Sequence, residues 1–348
     1  MGLPPSNASF YARCRPVRRL LVLDLGFLGD AIHLIPALNG LREALPDTAI
    51  DVVVADHVTG VLEVCPWLNR VYGYRRYPRS LPLWRQPAFI RRMRAKGYDA
   101  VVNLNGSDRS SLLTWLSGAP LRLGRTPPKV PWFWSLCFTH TVQVAYGQTP
   151  VYQQRWECLR EAGFPVSEPR FAITLPPRAL AEVDGLLGDA HGYIHVSPST
   201  TQTLKDLPEA VLVALLNLLH ERTGLDVVLS CAPVESEKQR IKRVTDALAF
   251  KPLAVLAGNL SLLGLAALIS RARVHCGGDS GALHVALMTG VPTVAWFRDY
   301  ADKVEWLPQG KTHRVVTGAP SPAGLQGISA AALGDAFAGV LAELDKQR

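Results

Sequence analysis

Short runs of consecutive apolar residues alternate along this chain with longer segments whose apolar residues recur every three or four positions. Leu20-Leu21-Val22-Leu23 precedes a helical pattern over 29–45, Ile50-Asp51-Val52-Val53-Val54 one over 57–64, and Ala100-Val101-Val102 one over 107–116. A compact apolar run followed by a helical period reads as a buried parallel strand and its crossover helix. Residues 132–144 are aromatic without a clear period and receive no assignment. A helical segment over 152–162 ends at Gly163 and Pro165, and Pro169, Pro176 and Pro177 mark a linker. The alternation restarts at Tyr193-Ile194-His195-Val196, with helices over 208–222, 235–249, 260–270 and 281–289. Strands over 226–229, 253–256, around Val274 and over 293–296 lie among them, and a last helix covers 329–345. The pattern predicts an α/β fold of two domains, each built on a mainly parallel sheet. Expected boundaries are an N-terminal extension over 1–17, domains over 18–168 and 169–327, and a closing helix over 328–348. Open sheets of this kind bind ligands beyond their strand C-terminal ends, so two of them facing one another predict an interdomain cleft.

Composition supports this picture. A length of 348 residues exceeds one comfortable core, and 48% apolar with 19% charged residues describes a globular chain. No stretch approaches the roughly 18 unbroken apolar residues that a membrane span requires. The run from Leu20 to Leu25 is too short for a secretory h-region, and Asp24 interrupts it. Cys14, Cys65, Cys137, Cys158, Cys231 and Cys276 are scattered without a C-x-x-C pair, as expected of reduced, buried thiols in a cytoplasmic protein.

The net charge of +8 is concentrated. Arg75, Arg76, Arg79, Arg85, Arg91, Arg92, Arg94 and Lys96 follow one another with no acidic residue among them, interleaved with Tyr77, Trp84 and Phe89. Such a segment is either a solvated helix face or a surface for polyanions: nucleic acid, anionic lipid or a phosphorylated substrate. No helix-turn-helix, finger or RNP signature accompanies it, so no nucleic-acid partner is expected.

Two strand–helix turns carry the candidate chemistry. Cys276-Gly277-Gly278-Asp279-Ser280-Gly281-Ala282-Leu283-His284 leads through glycines into a helix, whose unpaired N–H groups and positive dipole end suit a phosphate or diphosphate. The bland alternative is an ordinary βα turn with Asp279 as helix cap and His284 in the core. Asp24-Leu25-Gly26-Phe27-Leu28-Gly29-Asp30 is one glycine short of the dinucleotide fingerprint. Asp30 is therefore either a helix cap or a general base, and His33 lies on its helix face. Neither a D-x-D nor an H-E-x-x-H sequence occurs, so no metal is expected.

With both turns in view, the chain resembles glycosyltransferase family 9, the ADP-heptose:lipopolysaccharide heptosyltransferases, from about Arg18 to Val316. Gly29, Asp30 and Pro36 match its N-terminal signature, and Tyr98 to Gly106 with Arg109-Ser110 its Y-D-x-V-I-D-L-Q-G…R-S segment. Leu204-Lys205-Asp206-Leu207-Pro208 resembles L-K-E-W-P, and Asp279 to Ala286 matches D-[ST]-G-x-x-H-x-A. Departures are Asn103 and Asn105 for an acid and a glutamine, Leu207 for Trp, and Phe297-Arg298-Asp299-Tyr300 in place of a G-P-T-D-type loop.

The resemblance implies a GT-B architecture of two Rossmann-like domains, the first for the acceptor and the second for a nucleotide sugar. It implies an inverting, metal-independent transfer with Asp30 as catalytic base. Donor contacts would come from Lys205, Gly278, Asp279, Ser280, Gly281 and His284, and acceptor contacts from Gly29, Asn105, Arg91, Arg92 and Arg94. The expected donor is ADP-heptose, with no further cofactor. The expected acceptor is a phosphorylated, lipid-linked glycan, met by a cytoplasmic enzyme in peripheral contact with the anionic inner face of the inner membrane. Two other readings of the same fold are a nucleotide-sugar epimerase and a non-catalytic nucleotide-sugar-binding protein.

Overall fold

Each apolar run of the first half is a strand, and the helical periods between them cross back over the sheet. The computed structural model describes residues 9–75, 85–200, 202–322 and 324–347. In chain order the first half comprises α1 (Phe10–Cys14), β1 (Arg19–Leu23), α2 (Leu28–Ala44), β2 (Ala49–Ala55), β3 (Arg70–Tyr74), α3 (Pro87–Arg94), β4 (Ala100–Asn103), α4 (Asp108–Leu116), β5 (Leu121–Arg125), α5 (Trp134–Cys137), β6 (His140–Val142) and α6 (Val151–Glu161). The strands pair in the order β3-β2-β1-β4-β5-β6, all parallel. The order reverses between β1 and β4, whose last residues Leu23 and Asn103 are paired. That reversal is the switch point at which doubly wound sheets bind ligands. Phe89 and Met93 of α3 and Leu113 of α4 share a buried cluster with Leu21, Leu23 and Val101 of the sheet.

The second half comprises α7 (Pro177–Leu187), β7 (Ile194–Ser197), α8 (Glu209–Thr223), β8 (Val227–Cys231), α9 (Glu235–Asp246), β9 (Ala254–Ala257), α10 (Leu262–Ser270), β10 (Val274–Gly278), α11 (Gly281–Met288), β11 (Thr293–Arg298), β12 (His313–Ser321), β13 (Gly324–Gln326) and α12 (Ala330–Asp345). Its sheet runs β13-β12-β11-β10-β7-β8-β9, parallel except for the antiparallel edge strand β13. Counted from β7, the order repeats that of the first sheet, with the switch point between β7 and β10. Leu212, Leu215, Leu216 and Leu219 of α8 and Leu333, Phe337 and Val340 of α12 close its core. α8 stops at Gly224, whose φ of 63° is the left-handed turn that glycine takes without strain.

The chain divides into two compact units, Met1–Thr174 and Leu175–Arg348. The division falls a few residues beyond the expected 168/169. The expected extension over 1–17 is, from residue 9 onward, part of the first unit: Phe10 and Cys14 are buried, and the Tyr11 N–H donates to the Ala162 carbonyl. The closing helix is likewise built into the second core. Residues 57–64 form a 3₁₀ run (Asp56–Val64) in place of an α-helix, and the prolines read as linker start α7, with Pro177 at its first position. The unassigned segment 132–144 holds α5 and β6.

Candidate functional site

The polar residues named from the sequence lie mostly at the two switch points. In the first unit, β1 turns into α2 through Asp24-Leu25-Gly26-Phe27. The turn is so tight that a Cβ on Gly26 would lie 2.1 Å from that of Asp30. Only glycine tolerates that approach. Asp30 Oδ2 accepts the Phe27 N–H at 2.9 Å, so the capping role is real. Its Oδ1 accepts from Arg155 Nη2 at 3.0 Å, and Arg155 Nη1 donates to its carbonyl at 2.5 Å. The same Nη2 stands 2.5 Å from Asp24 Oδ2. Asp24 is buried, and its Oδ1 accepts from the Gly26 N–H at 3.0 Å and the Asn105 amide at 3.4 Å. Burial pushes the Asp24 carboxyl up to about 6, opposed by Arg155 and reinforced by the charge of Asp30. Asp30 keeps 22% of its side chain exposed, against none for Asp24. Of the two carboxylates, Asp30 is the one a ligand reaches, and each of its oxygens retains a lone pair for a new donor.

Asn103 and Asn105 serve the turn after β4. The Asn105 N–H donates to Asn103 Oδ1 at 2.9 Å, and Asn105 Oδ1 accepts from the Ser107 N–H at 3.2 Å. Asn103 Nδ2 donates to Thr114 Oγ1 at 2.9 Å. Gly29 is buried in the first turn of α2. The structure does not bring Arg91, Arg92 and Arg94 to this end of the sheet. They occupy the last turn of α3, which descends toward the strand N-termini, where Arg19, the first residue of β1, donates to the Lys96 carbonyl at 2.8 Å. The cations were legible in the sequence; the direction of their helix against the sheet was not. Arg109, at the start of α4, donates instead to the hydroxyl of Tyr74, the last residue of β3, at 3.4 Å. Arg76, Tyr77, Arg79 and Trp84 lie outside the described residues.

In the second unit, Lys205 closes a 3₁₀ turn (Thr203–Lys205) and its Nζ stands 2.6 Å from Asp279 Oδ2. Both side chains are largely buried, at 21% and 10% exposure. Asp206 beside it accepts the Thr200 N–H at 2.7 Å, and the Leu325 N–H donates to its carbonyl at 2.8 Å. Burial raises the Asp206 carboxyl, offset in part by Arg240. These bonds fix the chain at Asp206, beside Lys205, and hold the Lys205 ammonium on Asp279. The cap of α11 is Ser280, not Asp279, and the Ser280 hydroxyl makes no bond to the helix. A Cβ on Gly278 would stand 2.7 Å from Trp296 Nε1 and 2.9 Å from Thr200 Cγ2, so glycine is needed for these three to meet. Ser199 Oγ, Ser280 Oγ, Trp296 Nε1 and Arg298 Nε are buried without a hydrogen-bond partner among the described residues, at or beyond the C-terminal ends of β7, β10 and β11. Each such group costs about 1–3 kcal/mol when left unpaired, so their gathering there, beside the N–H groups of α11, marks a site for a polar, anionic ligand.

His284 is buried and packs edge-on against Trp306, ring centroids 5.4 Å apart. Leu207 is wholly buried in the second core, so its departure from Trp bears on packing there. Arg298 stacks over Tyr300 at 5.1 Å, and Asp299 pairs with Lys303 at 2.6 Å. Asp24, Arg155, Thr200 and Trp296 were not singled out from the sequence as site residues. Asp24 had a usable signal, a carboxylate ending an apolar run. Arg155 had none, being 125 positions from its partner Asp30.

The profile of glycosyltransferase family 9 (heptosyltransferase) matches residues 87–323, more than half of the chain. Lipopolysaccharide heptosyltransferase 3 of Escherichia coli is 26% identical over 289 residues, covering 81% of this chain and 84% of the relative. Among solved structures, a family 9 glycosyl transferase from Veillonella parvula superposes with a TM-score of 0.80 at 22% identity, covering 94% of this chain and 97% of its own. The E. coli heptosyltransferase WaaC with ADP-2-deoxy-2-fluoro heptose superposes with a TM-score of 0.74 at 22% identity, covering 92% and 99%.

Proposed function

Because the chain belongs to glycosyltransferase family 9, we propose that it moves a heptose from ADP-heptose to a lipopolysaccharide core or related surface glycan, with inversion and without a metal. The chain is a glycosyltransferase of GT-B fold; the donor, acceptor and stereochemistry are what the proposal adds. ADP-2-deoxy-2-fluoro heptose on a structural neighbour and the lipopolysaccharide relative support the choice of donor and acceptor. The observation that carries the reading is the second switch point. There Lys205, held on Asp279, and the unpaired donors around α11 answer the charge of a leaving diphosphate. Asp30 accepts the proton of the acceptor hydroxyl as its oxygen bonds to the anomeric carbon. The bond from that carbon to the diphosphate breaks, and ADP departs with the electron pair. Arg155 fixes the direction of Asp30, and Asp279 orients Lys205. Among the described residues no helix is long and apolar enough to cross a membrane, which suits an enzyme working in peripheral contact with the inner face of the inner membrane.

The test is incubation with ADP-heptose, then with UDP- and GDP-sugars, and a truncated lipopolysaccharide acceptor, read by mass spectrometry with and without EDTA. Heptose addition with release of ADP, indifferent to EDTA and with inverted anomeric configuration by NMR, is expected. An isomerised sugar nucleotide without transfer, or binding without either reaction, overturns the proposal.

A further inference from the structure

α3, α4 and α5 lie side by side on the first sheet. Met93 of α3 and Leu113 of α4 share one cluster, and Leu112 of α4 packs on Trp134 and Cys137 of α5. Their outer surface is apolar in an unusual way. Trp115 of α4 is 53% exposed, Val130 and Trp132 before α5 are 55% and 87% exposed, and Leu136 within it is 63% exposed. Burying none of these in the fold leaves their hydration cost standing unless something else covers them. An indole, with an apolar body and one N–H, suits the boundary between water and hydrocarbon.

The segments that carry this apolar surface hold few acidic residues. Neither 64–98 nor 109–156 contains an aspartate or glutamate. Between those stretches, Asp99 is held by the N–H groups of Arg18 and Arg19, each at 2.9 Å, and Asp108 opens α4 at the end opposite Trp115. Arg91, Arg92 and Arg94 are exposed on α3, and Lys129 is exposed beside Val130. The Arg94 guanidinium lies close to Gly118, just after Trp115, so cation and indole share the same end of these helices.

We propose that this face, on which Trp115, Trp132 and Leu136 are exposed together with Arg91, Arg92, Arg94 and Lys129, docks on an anionic lipid bilayer. Headgroup phosphates complement the cations, and the exposed apolar side chains enter the headgroup–acyl boundary. The inference rests on the reading of a membrane-side acceptor and deepens it by naming the surface. It also gives the arginines of α3 a partner at the end of the sheet where they stand.

Flotation of the full chain with vesicles of phosphatidylcholine, alone or with phosphatidylglycerol, tests it. Binding to the anionic vesicles only, weakened by salt, is expected. Replacing Arg91, Arg92 and Arg94 together by Gln should weaken it about 100-fold, from the usual contribution of each cation near an anionic surface. Trp132→Ser with Leu136→Ser should weaken it about tenfold while thermal stability and transfer to a soluble, lipid-free acceptor stay unchanged. In the wild type, brominated lipid should quench tryptophan emission, and Trp132→Phe should remove much of that quenching whatever the double variant does. Absence of flotation, or variants that float and quench like wild type, overturns the surface. Transfer without flotation removes the surface alone, and flotation without transfer removes the reaction alone.

Discussion

Asp24 and Lys205 show what single residues contribute. The Asp24 carboxyl sits near 6 in the fold and near its ordinary value when unfolded. Between about 4 and 6 the folded chain therefore binds the proton that the unfolded chain releases. Stability from this group is full below that window and lost as pH rises through it. Asp24→Asn, never charged, should remove that slope in melting temperature between pH 4 and 7; an unaltered slope would place the titration elsewhere. Lys205→Ala should weaken ADP about 10–100-fold, as expected for one charge-assisted phosphate contact, and leave adenosine unaffected in calorimetry. Equal ADP affinity would remove Lys205 from the diphosphate site. Asp30 and Asp279 could be singled out from the sequence because each sits in a short polar turn beside an apolar run, whereas Lys205 was singled out only by the resemblance of Leu204 to Pro208 to the family motif. Arg155 could not, since nothing within its own helix shows that two carboxylates converge on it.

At the scale of elements, the strands that were legible are those in which apolar residues dominate, even where Asp51 or His195 interrupts the run. β5 (LRLGR) was hidden by Arg122 and Arg125, although Arg125 is buried with its guanidinium 3.3 Å from the Tyr146 ring centroid. β12 was hidden by Gly318 and Pro320, which an edge-near strand tolerates. The start of α7 was read as linker because of Pro176 and Pro177, although proline is tolerated at the first turn of a helix. The pairing of β7 with β10 has a cost that only the register reveals. His195 and His275 meet there, Nδ1 to Nδ1 at 2.8 Å, with His195 Nε2 on Ser230 Oγ at 2.9 Å. Burial holds both neutral, His195 well below the ordinary range and His275 down at about 3. The unfolded chain protonates them near 6.5, so stability is full above that pH and falls as pH drops toward the folded-state value of His275, about 3. His275→Gln should flatten this acid slope, which is opposite in sign to that of Asp24. A slope unchanged in the variant would show that the pair does not govern acid stability.

For the whole molecule, one strand order is used twice, and each copy places its polar turns where that order reverses. The first unit presents a solvent-reachable carboxylate; the second presents a lysine, a helix start and unpaired buried donors. Under the proposed reading, the first unit serves the partner that loses a proton and the second the partner that loses a diphosphate. The central claim is that Asp30 removes the proton. Asp30→Asn keeps the size of the side chain and an oxygen for the Phe27 N–H but has no basic carboxylate. Single-turnover heptose transfer, measured beside ADP affinity on the same protein, is therefore the most direct test. Transfer should fall by about 10²–10⁴-fold, the range for loss of a general base, with ADP affinity unchanged. Near-normal transfer by the folded Asn variant would reduce Asp30 to a helix cap and contradict the account.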